Sequence, residues 1–225
     1  MSSTMADACV FDAYGTLLDL RSAVAPHAAV LGASAEPLLA LWRRKQLEYT
    51  WLRTLMGRHA DFETVTLEAL RYALEATGCS AELEPGLLDA FRHLTAYPDA
   101  APTLAALRRG GVRTAVLSNG DPGMLRDAFD ASGLAGLLDH VISVQPLRLY
   151  KPAARVYGLA AETLALSPDR MVFVSGNAWD AAGAASAGLR AVLIDAAGAP
   201  PERLPAGPWT TVRALADLPA AIGLT

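Results

Sequence analysis

The sequence predicts an α/β fold, a mostly parallel sheet with helices on both faces and one all-helical insertion. Three observations carry that expectation. Short apolar runs recur at Ala8 to Phe11, Arg113 to Leu117, Val141 to Val144, Met171 to Val174 and Arg190 to Ile194, with the length and composition of buried strands. Helical patterns separate most of them, and such alternation calls for crossovers and hence parallel pairing. Between about Arg21 and Tyr97 the rhythm stops, leaving several helical patterns in succession and no convincing strand.

Each element has its own signal. The first run closes on Asp12 and passes into Ala13-Tyr14-Gly15-Thr16, so a buried strand delivers a carboxylate to its carboxyl end, ahead of a tight turn and a hydroxyl. Within the helical block, Glu36 to Met56 sets Leu38, Trp42, Tyr49, Leu52 and Met56 near one face. A second helix is expected from Phe62 to about Ala76, ending at Gly78, and a third from Pro85 to about Thr95. Farther on, Pro102 to Arg109 stops at Gly110-Gly111, Pro122 to Ser132 starts at Asp121 and stops at Gly133, and Ala153 to Leu166 follows Pro152. Ala181 to Gly188 reads as a helix whose small side chains permit close packing. The segment Gly198 to Pro208, with four prolines, reads as a surface loop before a short C-terminal helix.

Composition narrows the partners. A chain of 225 residues, 52% hydrophobic, can bury a full core, as one α/β domain with an insertion or as two small domains. Its net charge of −4 offers nucleic acid no basic face for counterion release, so a small molecule is the expected partner. Met1-Ser2-Ser3-Thr4-Met5 shows neither a basic start nor an apolar signal core, and no run approaches the ~18 apolar residues of a membrane span. A cytoplasmic location is expected, away from membranes. Cys9 and Cys79 are expected as two buried thiols. His27, His59, His93 and His140 lack any metal-ligand spacing, so no histidine or cysteine metal site is expected.

Four motifs carry the chemistry. Asp12-Ala13-Tyr14-Gly15-Thr16 follows the first strand, Ser118-Asn119-Gly120 the second, Lys151-Pro152 precedes a helix, and Ser175-Gly176-Asn177-Ala178-Trp179-Asp180 follows Val172-Phe173-Val174. All lie at strand carboxyl ends or in the loops beyond, where open α/β sheets place their ligands. A carboxylate there can attack an electrophilic carbon without a general base, which makes Asp12 the candidate nucleophile.

In order and chemistry these motifs resemble the haloacid dehalogenase superfamily across the whole chain. In detail they resemble its L-2-haloacid dehalogenases, through Asp12-x-Tyr14-Gly15-Thr16-Leu17, Leu41-Trp42-Arg43-x-Lys45-Gln46-Leu47-Glu48-Tyr49, Ser118-Asn119-Gly120, Tyr150-Lys151-Pro152 and Phe173-Val174-Ser175-x-Asn177-Ala178-Trp179-Asp180. The resemblance implies a Rossmann-like core domain of residues 1–20 and 98–225 under a helical cap domain of residues 21–97. It also implies a homodimer. The implied activity is metal-independent, cofactor-free hydrolysis of L-2-haloalkanoic acids to D-2-hydroxyalkanoic acids and halide through an aspartyl ester.

The superfamily's phosphatases carry an Asp two residues after the nucleophile and a Gly-Asp pair that holds Mg²⁺. Here Tyr14 and Ser175-Gly176 stand in those places. Halide leaves as a stable anion, so neither the acid nor the metal is needed. A Mg²⁺-dependent small-molecule phosphatase remains the runner-up expectation. Hydrolysis of a strained cyclic 2-carboxylate such as azetidine-2-carboxylate would use the same nucleophile.

Roles follow from the resemblance, residue by residue. Bringing the Asp12 carboxylate within ~4 Å of a substrate carboxylate costs about 4 kcal/mol at an effective dielectric near 20, and Lys151 is the expected counter-charge. Thr16 would hold the Asp12 carboxylate. Arg43, from the cap, and Asn119 would receive the halide, while Ser118 and nearby amides would bind the substrate carboxylate. Asp180 would activate the hydrolytic water, with Ser175 and Asn177 positioning it. Tyr157, six residues after Lys151, is carried over as a supporting hydroxyl, and Tyr14, Leu47, Phe62 and Trp179 as the apolar substrate pocket. Read alone, Arg43-Arg44-Lys45 is equally a polar helix face with Glu48 paired to Arg44. Two positions depart from the family: Gly176, commonly Ser, whose hydroxyl is lost, and Arg44, where a smaller polar residue near the pocket is expected.

Overall fold

A computed structural model describes residues 6–224; the reading of Met1 to Met5 lies outside the described residues. Six strands, β1 (Ala8–Phe11), β2 (Arg113–Ser118), β3 (His140–Ser143), β4 (Met171–Ser175), β5 (Arg190–Ile194) and β6 (Thr210–Val212), form one sheet in the order β3-β2-β1-β4-β5-β6. Every pairing is parallel. The chain steps outward from β1 to β2 and β3, then returns to β4 on the far side of β1. This is the doubly wound order, which opens a crevice at the carboxyl ends where the winding reverses. β1 lies at the centre, with all four residues fully buried.

Nine helices accompany the sheet among the described residues: α1 (Ala28–Leu31), α2 (Ala35–Met56), α3 (Phe62–Thr77), α4 (Glu84–Arg92), α5 (Ala100–Arg109), α6 (Pro122–Ala131), α7 (Ala154–Leu164), α8 (Ala178–Ser186) and α9 (Leu218–Ala221). The first five fall between β1 and β2, α1 to α4 forming the helical block and α5 leading into β2. Where the chain leaves β1 and where it returns, two segments run side by side and antiparallel, Asp19 N donating to Thr95 O and Tyr97 N to Leu17 O. Asp121 opens α6 but leaves its own helix uncapped; its Oδ2 accepts from the Glu63 amide at the start of α3, 2.8 Å away. The Arg92–Asp127 ion pair adds a second tie between the helical block and the sheet layer. No helix among the described residues is long and apolar enough to cross a membrane.

Several expectations need correction. β6 was not expected, because three residues of a half-exposed edge strand after a proline-rich loop are too few to show a period. In α2, Leu52 and Met56 face solvent, 43% and 62% exposed. The buried stripe runs Leu38, Trp42, Gln46, Thr50, and counting apolar residues misses it because half of it is polar. Its polar members are satisfied: Gln46 Nε2 donates to Thr66 Oγ1 at 2.7 Å and Thr50 Oγ1 to Leu47 O at 2.6 Å. Glu48 pairs with Lys45, one residue nearer, rather than with Arg44. Cys9 is buried as expected, but Cys79 is only half-buried; both are free thiols.

Candidate active site

The site is built around the Asp12 carboxylate at the end of β1. Its Oδ2 accepts from Thr16 Oγ1 at 3.1 Å and Asn177 Nδ2 at 2.8 Å, and its Oδ1 from Lys151 Nζ at 3.1 Å. Three donors from three loops fix one carboxylate orientation, and Asp12 is only 6% exposed. The same ammonium lies 2.8 Å from Asp180 Oδ2, so Lys151 holds two carboxylates at once while fully buried. Burial works against its charge, yet Asp12 and Asp180 outweigh burial and raise its pKa.

Asp180 sits in the first turn of α8 with no exposed surface. Tyr157 Oη donates to its Oδ1 at 2.7 Å, and Ser175 Oγ to its Oδ2 at 3.3 Å. Burial, reinforced by Asp12, pushes the Asp180 carboxyl up to about 6 against the downward pull of Lys151. Tyr157, expected as a supporting hydroxyl, has its partner in Asp180. The small residues of α8 make that contact possible, since a Cβ at Gly183 would collide with Tyr157 Oη and lie 2.7 Å from Pro152.

Gly176 is also explained by space. A Cβ there would run into the Gly15 carbonyl oxygen, so the last and first motifs meet backbone to backbone. The Gly176 amide donates to Thr16 Oγ1 at 2.9 Å, which leaves the threonine proton for Asp12. The contact made at this position is thus a backbone one, and it asks for no side chain at Gly176. Gly176→Ala is expected to destabilise the fold by about 1–3 kcal/mol, as overpacking does, and to slow turnover by loosening Thr16. Urea unfolding and kcat check both; an unchanged midpoint would contradict this packing.

The remaining residues divide into those near the carboxylate and those forming walls. Ser118, buried at the end of β2, accepts from the Gly120 amide, so its turn role is real. Asn119 Oδ1 accepts from the Lys151 amide at 3.0 Å, which leaves the Asn119 NH₂ as a donor. Arg43 reaches from α2 to the first motif, its guanidinium donating to Tyr14 O at 3.3 Å and to Gln46 Oε1 at 2.7 Å. Its Nε is buried without a partner, and burial lowers its pKa against the opposing pull of Asp12. Such an unpaired buried donor suits an anion.

Tyr14 stacks on Phe91 at 5.2 Å and packs on Phe62 at 5.5 Å. Leu47 is half-buried one turn beyond Arg43, and half-buried Trp179 meets Trp51 edge to face at 5.4 Å. Arg44 is exposed, on the outer side of α2 rather than near the pocket. Gln46, which holds Arg43, and Asp121, which ties α3 down, were missed. The signal for Gln46 was a polar side chain four residues after Trp42 on a stripe of period four; nothing local marks Asp121.

The donor set does not fit a divalent cation. No cluster of three His, Cys, Asp or Glu side chains suited to a metal occurs among the described residues. Where the two carboxylates converge, an ammonium already bridges them, and Gly176 has no room for the carboxylate a hard cation would need.

Residues 6–188 match the family model of haloacid dehalogenase-like hydrolases. The chain is 49% identical over 214 residues to (S)-2-haloacid dehalogenase 1 of Pseudomonas sp. (strain CBS-3), covering 94% of each. A crystal structure described as that of a dehalogenase superposes with a TM-score of 0.94 at 45% identity, covering 97% of this chain and 98% of that one. L-2-haloacid dehalogenase from Xanthobacter autotrophicus, with chloropropionic acid covalently bound, superposes with a TM-score of 0.89 at 36% identity over 98% of this chain and all of that one. An aspartate gripped by a buried lysine at the centre of a doubly wound sheet, together with this likeness along nearly the whole chain, places the protein in the haloacid dehalogenase-like hydrolases, within the L-2-haloacid dehalogenase family.

Proposed function

We propose that the protein hydrolyses L-2-haloalkanoic acids to D-2-hydroxyalkanoic acids through an ester on Asp12. The observation that carries this reading is the single buried ammonium shared by Asp12 and Asp180. It offsets the repulsion between carboxylate nucleophile and carboxylate substrate and keeps the second carboxylate beside the first.

In the first step an Asp12 oxygen attacks C2 from the side opposite the halogen; the carbon–oxygen bond forms as the halide leaves with the bonding electrons. C2 is inverted once. Arg43 and the Asn119 amide receive the halide, and Ser118 with the turn that follows it orients the substrate carboxylate. In the second step water adds to the ester carbonyl carbon while Asp180 takes its proton. Collapse breaks the bond from that carbon to the oxygen carried by C2, which recovers the proton from Asp180; the regenerated Asp12 carboxyl releases the second water proton to solvent, and C2 is untouched. Tyr157 and Ser175 hold Asp180 for this task; Thr16 and Asn177 hold Asp12.

The α1–α4 block, residues 21–97, serves in this reading as a cap domain over the core of residues 1–20 and 98–225. Its Arg43 completes the site, and Tyr14, Leu47, Phe62 and Trp179 line the pocket. Homodimer formation and a cytoplasmic location belong to the same proposal by family analogy; sedimentation and cell fractionation test them.

The deciding experiment is halide release from L-2-chloropropionate, with chloro-, bromo- and fluoroacetate alongside and EDTA present. Turnover is expected without added metal. Failure on every acid, or p-nitrophenyl phosphate turnover that EDTA abolishes, would move the chain to the phosphatase reading. Lys151→Met is expected to abolish halide release and to destabilise the fold by about 3–5 kcal/mol, because two buried carboxylates lose their counter-charge. Denaturant unfolding at neutral pH measures the second effect, and a variant as stable as the parent would contradict it.

A further inference from the structure

We infer that the groove between the end of α2 and the Lys151-Pro152-Ala153 turn receives the C2 substituent of longer 2-haloalkanoates, with Trp51 as a specificity-determining side chain. This rests on the dehalogenase reading above. Two members of the apolar wall named from sequence, Tyr14 and Phe62, have no slack. Tyr14 and Phe62 are 2% and 1% exposed, their rings pack on each other and on Phe91, and Trp42 backs Phe91 at 5.2 Å. An alkyl chain extending past Tyr14 and Phe62 would have to unpack these rings.

Space lies instead beside Lys151. This residue, whose Nζ touches Asp12, also lines a cavity of about 460 Å³ together with Trp51, Leu55, Pro152, Trp179 and Leu204, within the range of small-molecule pockets. Apart from the two indole nitrogens, which have no hydrogen-bond partner, its polar side chains are already used. Lys151 is committed to two carboxylates, Thr54 Oγ1 accepts from the Tyr150 amide, and Tyr150 Oη donates to Ala60 O. Both indole nitrogens are buried from the surface, so Trp51 and Trp179 present ring carbon to the groove. A wall of carbon with no free charge suits hydrocarbon.

The groove begins at the residue that holds the candidate nucleophile and opens at Leu55 and Leu204, 82% and 46% exposed. A substrate with its carboxylate at Ser118 and its C2 at Asp12 has one apolar arm, the alkyl group on C2, and that arm is the occupant. No hydrogen bond pins either indole; the Trp51 ring rests on Trp179 by its edge-to-face contact, and its bulk sets how much of the chain fits.

The test compares halide release from L-2-bromopropionate and L-2-bromohexanoate by the parent protein, Trp51→Ala, Trp51→Phe and Leu204→Asp. Each methylene buried in the groove is worth about four-fold in kcat/KM, so the parent is expected to favour the longer acid. Leu204→Asp, on a surface loop, is expected to raise KM for bromohexanoate about ten-fold and to leave bromopropionate within about two-fold. Trp51→Ala should lose the same preference and Trp51→Phe recover most of it. Bromopropionate turnover with one chain-length profile shared by the parent, Trp51→Ala and Leu204→Asp, or a parent that disfavours the longer acid, overturns the groove and leaves the dehalogenase reading standing. No halide from either acid with the parent protein overturns both.

Discussion

Asp12→Asn is expected to remove halide release altogether, by at least about 10⁴-fold, the scale on which losing a covalent nucleophile acts. The change is nearly isosteric. The amide oxygen can still accept from Thr16 or Asn177, and Lys151 keeps Asp180 as its counter-charge, so the fold is expected to persist. Loss of activity with an unaltered circular dichroism spectrum and melting temperature would place the effect in the chemistry. Halide release within about ten-fold of the parent, well short of that scale, would show that the bond to carbon forms elsewhere.

For Asp180→Asn the expected result is different in kind: one halide per subunit, then arrest. The first step asks nothing of Asp180 as a base, whereas the second needs it to take a proton from water. Mass spectrometry should find the Asp12 peptide carrying the acid without its halogen. Steady turnover with no ester would mean that another group serves as base.

The pH dependence has the same origin. Asp180 is raised to about 6 from the ordinary carboxyl value of 3.8, by burial first and then by Asp12, against the downward pull of Lys151. A base acts when deprotonated, so ester hydrolysis should fall away as pH drops through this region. Esterification removes the Asp12 charge, one of the two influences raising Asp180, so the limb for hydrolysis lies at about 6 or below. Being buried and tied to Lys151, the group titrates as part of a set, and the apparent value belongs to the set. Rapid-quench experiments near pH 5 should show a halide burst followed by slow hydrolysis. Equal slowing of both steps would contradict the assignment.

How the site could be read from sequence follows from how each piece is encoded. β1, β2 and β4 announce themselves because a central strand buried on both faces must be apolar along its length; β3 and β5 still carry a short apolar run, although β3 is an edge strand and half-exposed, whereas β6, at the opposite edge and only three residues long, carries no such mark. The four motifs could be aligned with strand ends because each follows an apolar run or a turn residue. Gly176 could be noticed as a departure, but its reason lies in the approach of the Gly15 carbonyl, 161 residues earlier in the chain by the two numbers. Tyr157 could be carried over as a supporting hydroxyl, but its partner could not be named, since spacing from Lys151 says nothing of the separate helix that brings Asp180 to it.

The chain's local pattern was sufficient to determine a parallel α/β sheet, a helical block between its first two strands, and which residue types stand at the strand ends, because hydrophobic period and turn chemistry act over a few neighbouring residues. Only tertiary structure decided that one ammonium would bridge Asp12 and Asp180, that Arg43 would be held by a buried Gln46, and that open apolar space would lie beside Trp51 rather than Tyr14. These depend on distances between segments far apart in sequence. They are set by how helices and strands close-pack, and no local pattern encodes them.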